Sequence, residues 1–397
     1  MSFVKYERSS ELTRVKLFET RLTLTSGATA HGSVGEVVNW KLTHYPSLKT
    51  ANRRATDLYS KRMLGCGSNE FELDEQVERH LMNEAKSPKR AELLDGAAIA
   101  NQIKQEVARD VNSLVTEHKV RPCLAAVLVG DDAASAVYVS NKIRACEEVG
   151  IRSEHHALPA TTSSSELQNL IASLNARPDV DGILVQLPLP AGIEEAGIIE
   201  RITPEKDVDG FNPVNVGRLA MGRPAFVPCT PAGIIELLDR SEIPINGAAA
   251  CVVGRSQIVG RPIAQLLLQR DATVTVCHSR TRDLSSVTSQ AEILIVAIGR
   301  PGFIGREHIK PGATVIDVGM NKITDEATAR RLFGEEAKKR LQIISKRGYT
   351  LVGDVNPAEA DEVAGRRTPV PGGVGLLTVA MLMRNTVKAA RQRRALL

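Results

Sequence analysis

Between residues 91 and 230 the hydrophobic positions follow helical and strand patterns in turn. Apolar residues recur about every fourth position from Ile99 to Val115, which predicts an amphipathic helix. Cys123–Val129 is a short, wholly apolar run that ends at Gly130, as expected of a strand buried in a parallel sheet. The pattern then predicts a helix over 135–149, a strand over 153–158, a helix opened by a Ser163/Glu166 capping box, and a strand over 180–187. This alternation indicates βαβ units.

A second alternating segment follows the proline-rich stretch at residues 224–231. Thr230 is predicted as the N-cap, and Pro231 as the first residue, of a helix that extends through Leu238. Strands are predicted after it at 249–253, 273–277, 293–297 and 314–318, and an amphipathic helix with a basic end at 374–394. This spacing is typical of a doubly wound nucleotide-binding sheet.

Residues 1–90 show no sustained helical or strand period. An arginine-bearing, acid-poor start could be an organellar targeting peptide, although Glu7, Glu11 and Glu19 lie where such peptides avoid acids. We favour the alternative of an upstream-extended reading frame, with Met63 or Met82 as the natural start. We therefore expect an N-terminal extension of unknown role.

Composition narrows the class of protein. The chain has 397 residues, 43% hydrophobic and 24% charged, which is a globular composition sufficient for two or three domains. No apolar run reaches the roughly 18 residues that a transmembrane helix needs. The formal net charge is +5, and residues 1–67 alone contribute +6, so the basic excess is local and is weak evidence for nucleic-acid binding. We expect a cytoplasmic protein without nucleic-acid or membrane partners.

The cysteines and acidic residues predict neither a disulfide framework nor a metal site. The six cysteines are scattered without a C-x-x-C pair, which favours a reducing compartment. Asp207 and Asp209 are expected in an exposed turn, where they are too few to bind a metal and where Asp207 could cap the turn. We expect no metal cofactor.

A glycine-bearing turn at residues 254–260 joins a predicted strand to a helix. Glycine lets the backbone approach a phosphate, and the first N–H groups of a helix bind anions. The turn lacks the G-x-G-x-x-G pattern, so it could also be an ordinary βα turn. In NAD-binding folds an acid ends the second strand, whereas here a serine and two arginines follow it. Arg255 and Ser279 could bind a 2′-phosphate, and we predict NADP rather than NAD.

Tyr138 and Lys142 are four residues apart, on one face of the predicted helix. The ring could pack while the lysine extends to water, which is the usual fate of a lysine. Alternatively, a partly desolvated lysine beside an aromatic platform could take part in proton transfer. Gln186 ends an apolar strand, at the edge where α/β sites form. The spacing alone leaves both interpretations of Lys142 open.

Six motifs occur in an order that resembles one known family. They are Ser135-x-x-Tyr138-x-x-x-Lys142, Val185-Gln-Leu-Pro-Leu-Pro190, Pro204-Glu-Lys-Asp-Val-Asp-Gly210, Pro228-Cys-Thr-Pro231, Val253-Gly-Arg-Ser-x-Ile-Val-Gly260 and Pro371-Gly-Gly-Val-Gly375. Together they resemble the bifunctional methylenetetrahydrofolate dehydrogenase/methenyltetrahydrofolate cyclohydrolase family, from Leu94 nearly to the C-terminus. The resemblance implies NADP-dependent oxidation of 5,10-methylenetetrahydrofolate, hydrolysis of the methenyl product to 10-formyltetrahydrofolate, and a homodimer.

The resemblance also implies roles for individual residues. Lys142 matches the catalytic lysine, Gln186 the amide that positions it, and Asp209 the carboxylate that binds the pterin. Tyr138 would stack on the aminobenzoate ring, and further substrate-binding positions are Ser135, Val185, Leu187, Pro371, Gly372, Gly373, Val374 and Gly375. The NADP-binding positions are Gly254, Arg255, Ser256, Ser279 and Met320. Leu376 and Met320 differ from the family's usual proline and isoleucine.

We therefore predict an α/β protein with two domains, a cleft between them, and an N-terminal extension at residues 1–90. Residues 91–229 and the helix at 376–397 would form the folate-binding catalytic domain, and residues 230–375 the Rossmann-like, doubly wound NADP-binding domain. Three alternatives stay open. They are a monofunctional methylenetetrahydrofolate dehydrogenase, a shikimate-type or amino-acid dehydrogenase, and a non-catalytic folate- or nucleotide-binding relative.

Overall fold

The structure is a computed structural model that describes the backbone of residues 4–8, 15–21, 31–32 and 38–45, and then residues 90–396. The chain divides into two compact units, Met1–Ser87 and Pro88–Leu397.

The first unit contains a four-stranded antiparallel sheet. Its order is β1-β2-β4-β3, with strands β1 (Val4–Arg8), β2 (Val15–Arg21), β3 (His31–Gly32) and β4 (Val38–Tyr45). The sequence shows no sustained strand period there, but antiparallel strands are joined through backbone groups and do not require strict alternation of apolar side chains. Met63 and Met82, the candidate starts, lie outside the described residues.

The second unit begins with alternating helices and strands, as the sequence predicts. Its first strands are β5 (Glu92–Leu93), β6 (Cys123–Val129), β7 (Arg152–Leu158) and β8 (Gly182–Val185). Its first helices are α1 (Gly96–His118), α2 (Ala133–Glu148), α3 (Ser164–Ala176), α4 (Glu195–Arg201), α5 (Pro213–Ala220) and α6 (Cys229–Arg240). β6 is buried along its whole length and lies between β7 and β8 in a three-stranded parallel sheet.

A larger parallel sheet follows, in the order β10-β9-β11-β12-β15-β5. Its further strands are β9 (Ala249–Val253), β10 (Thr273–Cys277), β11 (Ile293–Val296), β12 (Thr314–Asp317) and β15 (Arg366–Arg367), and β13 (Asn321–Ile323) pairs antiparallel with β14 (Thr350–Val352). The remaining helices are α7 (Gly260–Gln269), α8 (Leu284–Thr288), α9 (Glu326–Phe333), α10 (Ala337–Arg347), α11 (Pro357–Val363) and α12 (Val374–Gln392).

Two details of the helix starts test the sequence reading. The Ser163/Glu166 capping box is confirmed, because the Glu166 carboxylate accepts from the Ser163 N–H at 2.8 Å and the Ser163 hydroxyl accepts from the Glu166 N–H at 3.2 Å. The prediction of Thr230 as an N-cap is wrong. Helix α6 begins at Cys229, two residues before the predicted first residue Pro231, and the Thr230 hydroxyl instead hydrogen-bonds that of Thr378 on α12 at 2.8 Å.

The last helix, α12, packs against both α1 and α6. A Cβ on Gly233 would lie 2.8 Å from the Cβ of Leu377, so α6 approaches α12 more closely than a larger residue permits. The Asn385 side chain on α12 donates to the carbonyls of Val208 and Val227 at 2.8 and 3.1 Å. The chain's C-terminal helix thus fixes the loops before α6. None of the described helices combines the length and the apolar character needed to cross a bilayer.

Candidate active site

The Lys142 side chain is buried, with 5% of its surface exposed, so the interpretation that it extends to water is wrong. Its Nζ donates to Gln186 Oε1 at 3.1 Å and lies 4.7 Å from the centroid of the Tyr138 ring. Gln186 Nε2 in turn donates to the Leu187 carbonyl at 2.7 Å, and this bond turns the amide oxygen toward the lysine. Tyr138 on α2 and Gln186 after β8 therefore hold the Lys142 ammonium group in place.

An acid and a thiol lie beside this lysine. The Cys229 thiol donates to Asp209 Oδ1 at 3.5 Å. Burial raises the pKa of Asp209, and the positive charge of Lys142 opposes that rise. Burial and the charge of Asp209 raise the pKa of Tyr138 to about 12, so the phenol stays neutral at physiological pH. The four side chains form one electrostatically coupled group.

The turn before Asp209 is buried, so the prediction of an exposed turn is wrong. Asp207 is 1% exposed and accepts hydrogen bonds from the Asn212 N–H and the Asn215 side chain, both at 2.8 Å. Lys206 donates to three carbonyls at the end of α3, and burial lowers its pKa to about 8. Burial is tolerated here because both polar groups have partners. The proposed capping by Asp207 is confirmed.

The other predicted substrate-binding residues lie at element ends. Ser135 is half-buried in the first turn of α2, Val185 ends β8 and is buried, and Leu187 follows it half-buried. The turn at 371–375 starts α12; Pro371 is exposed, Gly372 and Gly375 are half-buried, and Gly373 and Val374 are buried. A Cβ on Gly96 would overlap the Gly373 carbonyl, so the backbones of two segments meet at this turn.

The turn after β9 is tight. Gly254 has a φ of +124°, and a Cβ there would overlap the carbonyl oxygen of Ala297, which follows β11. A Cβ on Gly260 would overlap the Gly254 carbonyl. The Ser256 hydroxyl accepts from the N–H groups of Val259 and Gly260 at 3.2 and 3.3 Å, at the start of α7. Only glycine at positions 254 and 260 lets the backbone of this turn close into a cradle. Such a cradle at the start of a helix fits a bound pyrophosphate.

Arg255 and Ser279 lie at the same edge of the sheet. β9 and β10 are parallel neighbours with Val253 opposite Cys277, and each of the two residues follows its strand by two positions. Both side chains are exposed, so a cation and a hydroxyl are free to bind a 2′-phosphate beside the cradle. Met320 is 55% exposed and follows β12 at this edge, with its Cε 3.2 Å from where a Cβ on Gly375 would lie.

Sequence reasoning assigned no role to three residues that shape these sites. Cys229 contacts Asp209, and its place in the Pro228–Pro231 motif was the available signal. Arg340 donates to the Val370 carbonyl at 3.1 Å, just before the 371–375 turn. Asp354 is fully buried behind the nucleotide-type turns, after a three-residue strand that leaves no period in the sequence. Among residues 90–396 no three His, Cys, Asp or Glu side chains are grouped as metal ligands.

These features define an α/β protein of two domains, with a parallel dinucleotide-binding sheet and a separate site around a buried lysine. Residues 94–209 match the family model described as tetrahydrofolate dehydrogenase/cyclohydrolase, catalytic domain, and residues 228–394 match the NAD(P)-binding domain of the same family. The chain belongs to the tetrahydrofolate dehydrogenase/cyclohydrolase family. The predicted family and fold class are confirmed.

Individual relatives agree with this assignment. The bifunctional protein FolD of Koribacter versatilis is 56% identical over 304 residues, which are 77% of this chain and 98% of the relative. The bifunctional FolD structure from Campylobacter jejuni is 43% identical with a TM-score of 0.68, covering 76% of this chain and 99% of that one. A Trypanosoma brucei FolD structure, complexed with NADP cofactor and inhibitor, is 38% identical with a TM-score of 0.69, covering 76% and 98%.

Proposed function

We propose that this chain oxidises 5,10-methylenetetrahydrofolate with NADP⁺ and hydrolyses the 5,10-methenyl product to 10-formyltetrahydrofolate. Family membership supports the pair of activities. The observation that carries the proposal is the buried Lys142 ammonium, held by Gln186 beside the Tyr138 ring. Such an ammonium can move protons in a place from which bulk water is largely excluded.

The folate would occupy the surface between α2 and the 371–375 turn. The Tyr138 ring offers a flat face for the aminobenzoate, and the Asp209 carboxyl offers an acceptor for the N–H groups of the pterin. Ser135, Val185 and Leu187 line the same end of the small sheet. The backbone of residues 371–375 supplies the opposite wall, where glycines permit close approach of a flat ring.

NADP would lie at the edge formed by the ends of β9 and β10. Gly254 and Ser256 would hold the pyrophosphate, Arg255 and Ser279 the 2′-phosphate, and Met320 would contact the cofactor further along the edge. The NADP-bound Trypanosoma brucei relative supports this cofactor. When bound, NADP⁺ supplies a nicotinamide that accepts the hydride of the methylene bridge. The chain's own contribution to that step is alignment of the two molecules.

Hydrolysis of the methenyl cation would depend on Lys142. Water adds to the bridge carbon and gives up one proton. The bond from that carbon to N5 then opens while the remaining hydroxyl proton passes to N5, which leaves the formyl group on N10 and releases one proton overall. Lys142 is positioned by Gln186 to assist the attack of water and the proton transfer. Gln186 therefore acts through the lysine and not on the substrate carbon.

We also propose a homodimer in the cytoplasm. β10 is an edge strand of the large sheet, and its residues Thr273, Thr275 and Val276 are exposed, which supports pairing with a second copy. The described cysteines are free thiols, which supports a reducing compartment; Cys66 lies outside the described residues.

The direct test uses the purified full-length chain. Methylenetetrahydrofolate is supplied with NADP⁺ or NAD⁺ while NADPH or NADH formation is followed, and methenyltetrahydrofolate loss is followed separately without nucleotide. We expect faster turnover with NADP⁺ and hydrolysis well above the buffer rate. Oxidation with hydrolysis at the buffer rate would favour the monofunctional alternative. No reaction in either assay would contradict the proposal.

A further inference from the structure

The order of the strands in the nucleotide-type sheet reverses between β9 and β11. Of these three strands β9 comes first in the chain, with β10 paired on one side of it and β11 on the other side. In open α/β sheets ligands bind outside the carboxyl ends of the strands at such a switch point. The Gly254 turn already meets Ala297 there. The loop at residues 297–300 therefore forms the second wall of the dinucleotide crevice.

This loop is held from behind by one buried carboxylate, that of Asp354, which is fully buried. Its Oδ2 accepts from the backbone N–H groups of Ile298 and Gly299 at 2.6 and 2.9 Å. Its Oδ1 accepts from the Arg300 N–H at 2.8 Å and from the Asn321 side chain at 2.9 Å. All four donors are neutral N–H groups, so the carboxylate holds the loop through its backbone and not through an ion pair with one cation.

A second buried carboxylate, that of Asp317 at the end of β12, holds the segment that carries Asp354. Asp317 Oδ1 accepts from the N–H groups of Asp354 and Gly319 at 2.8 and 3.0 Å, and Oδ2 accepts from the Val355 N–H at 3.0 Å. A Cβ on Gly353 would overlap the Asp317 carboxylate. Only glycine at 353 lets the two segments approach this closely.

The network joins the loops on one side of the crevice. Because Arg255 and Ser279 lie beyond β9 and β10, a dinucleotide whose 2′-phosphate end lies there would extend its nicotinamide end toward β11 and β12. The loop after β11 and the Met320–Asn321 segment after β12 are both tied to Asp354, the segment after β12 through the Asn321 side chain. Met320 in turn approaches Gly375 on the proposed folate wall.

We propose that Asp354, held by Asp317, is a positioning residue that fixes the nicotinamide-side wall of the crevice. It governs NADP binding and hydride transfer, and it has no role in hydrolysis of the methenyl substrate. The inference rests on the proposed function, because it takes residues 254–260 as the pyrophosphate turn. A carboxylate that only stabilised the fold would affect both activities alike.

The test uses Asp354→Asn in the full-length chain, with NADPH affinity measured by fluorescence titration and both activities assayed separately. The amide replaces one acceptor oxygen with an NH₂ group that faces N–H donors, so NADPH affinity should fall about tenfold. The dehydrogenase kcat should fall as well, while nucleotide-free cyclohydrolase stays within about twofold of wild type.

Asp181→Asn is the matched control. Asp181 is as buried as Asp354, accepts from the Cys123 N–H at 3.0 Å, and pairs with Arg393. These partners lie near the small sheet and are not partners of Asp354 or Asp317. It should lower the melting temperature without selective loss of NADPH affinity. If Asp354→Asn does not fold, Asn321→Ala removes one donor from Asp354 and should weaken NADPH binding about threefold.

The outcomes separate the two proposals. Wild-type chain without NADP⁺-dependent oxidation would contradict the proposed function. If the wild type is active, an unchanged NADPH affinity in the folded Asp354→Asn or Asn321→Ala variant would overturn the positioning role. A parallel loss of dehydrogenase and cyclohydrolase activity in these variants would overturn it as well. Selective loss of NADPH affinity and hydride transfer, absent in Asp181→Asn, supports the positioning role.

Discussion

The lysine site and the nucleotide edge are built from different parts of the chain. The lysine site consists of side chains, with Lys142 and Tyr138 on α2, Gln186 after β8, and Asp209 in the turn at residues 204–210. The nucleotide edge consists mainly of backbone, closed by Gly254 and held from behind by Asp354. Under the proposed function, hydrolysis would depend on a few functional groups and hydride transfer on loop geometry. The two activities should therefore be separable by substitution.

The largest separation is expected from Gly254→Ala. A Cβ there would overlap the Ala297 carbonyl, and the φ of +124° is unfavourable for alanine, so the crevice must change shape. We expect dehydrogenase activity to fall about 100-fold, with cyclohydrolase within about twofold of wild type. Gly217→Ala is the control, because a Cβ at this α5 position meets no other atom. Equal loss of both activities would contradict separate construction of the sites.

Gln186→Leu should give the opposite pattern. It removes the acceptor of the Lys142 ammonium, at 3.1 Å, and leaves a buried cation without its partner. Cyclohydrolase activity should fall about 30-fold, and NADPH affinity should stay as in wild type. The exposed Gln105→Leu serves as control. Unchanged hydrolysis in Gln186→Leu would show that the amide does not position the lysine.

Arg255→Ala should change the choice of nucleotide. Loss of a charge-assisted bond to the 2′-phosphate should raise KM for NADP⁺ about tenfold and leave KM for NAD⁺ within about twofold. Arg330→Ala, on the exposed side of α9 where it pairs with Glu326, should alter neither value. An equal rise for both nucleotides would contradict the assignment of Arg255 to the 2′-phosphate.

The smallest effect expected is a pH dependence of nucleotide affinity. Burial, with a contribution from the charge of Asp354, raises the pKa of Asp317 to about 7. Below that pH a proton occupies one of the oxygens that accept N–H bonds, so the Asp354 segment is held less firmly. NADPH affinity should fall about threefold from pH 8 to pH 6 in wild type. The same titration of Asp317→Asn should keep only the weaker slope that protonation of the NADPH 2′-phosphate causes, and an identical slope would exclude Asp317 as the cause.

Much of the scaffold is readable from the sequence because it depends on apolar runs. β9 and β10 have the predicted bounds, and the four-residue spacing of Tyr138 and Lys142 correctly places both on one helix face. The two-residue strands β5 and β15 are missed, because two residues show no period. The pairing of β5 with β15 brings Glu92–Leu93 into the large sheet, beside Arg366–Arg367.

Buried polar groups were the least predictable part of the site. Local sequence indicates that Asp207 caps a turn, but its buried carboxylate also needs the Asn215 side chain, which lies outside the Pro204–Gly210 motif. The role of Asp354 arises from three segments, which meet only in the folded chain. Hydrogen bonds between distant loops leave no pattern in the sequence, whereas a glycine at a tight turn can be recognised from its residue type and its place between a strand and a helix.

The most direct test of the account is Lys142→Met with both half-reactions followed spectroscopically. A thioether of similar length removes the ammonium from its place beside Gln186 and Tyr138 without leaving a cavity. The account predicts cyclohydrolase activity reduced to about 1% of wild type, with NADP⁺-dependent hydride transfer largely retained. Hydrolysis at the wild-type rate in this variant would contradict it.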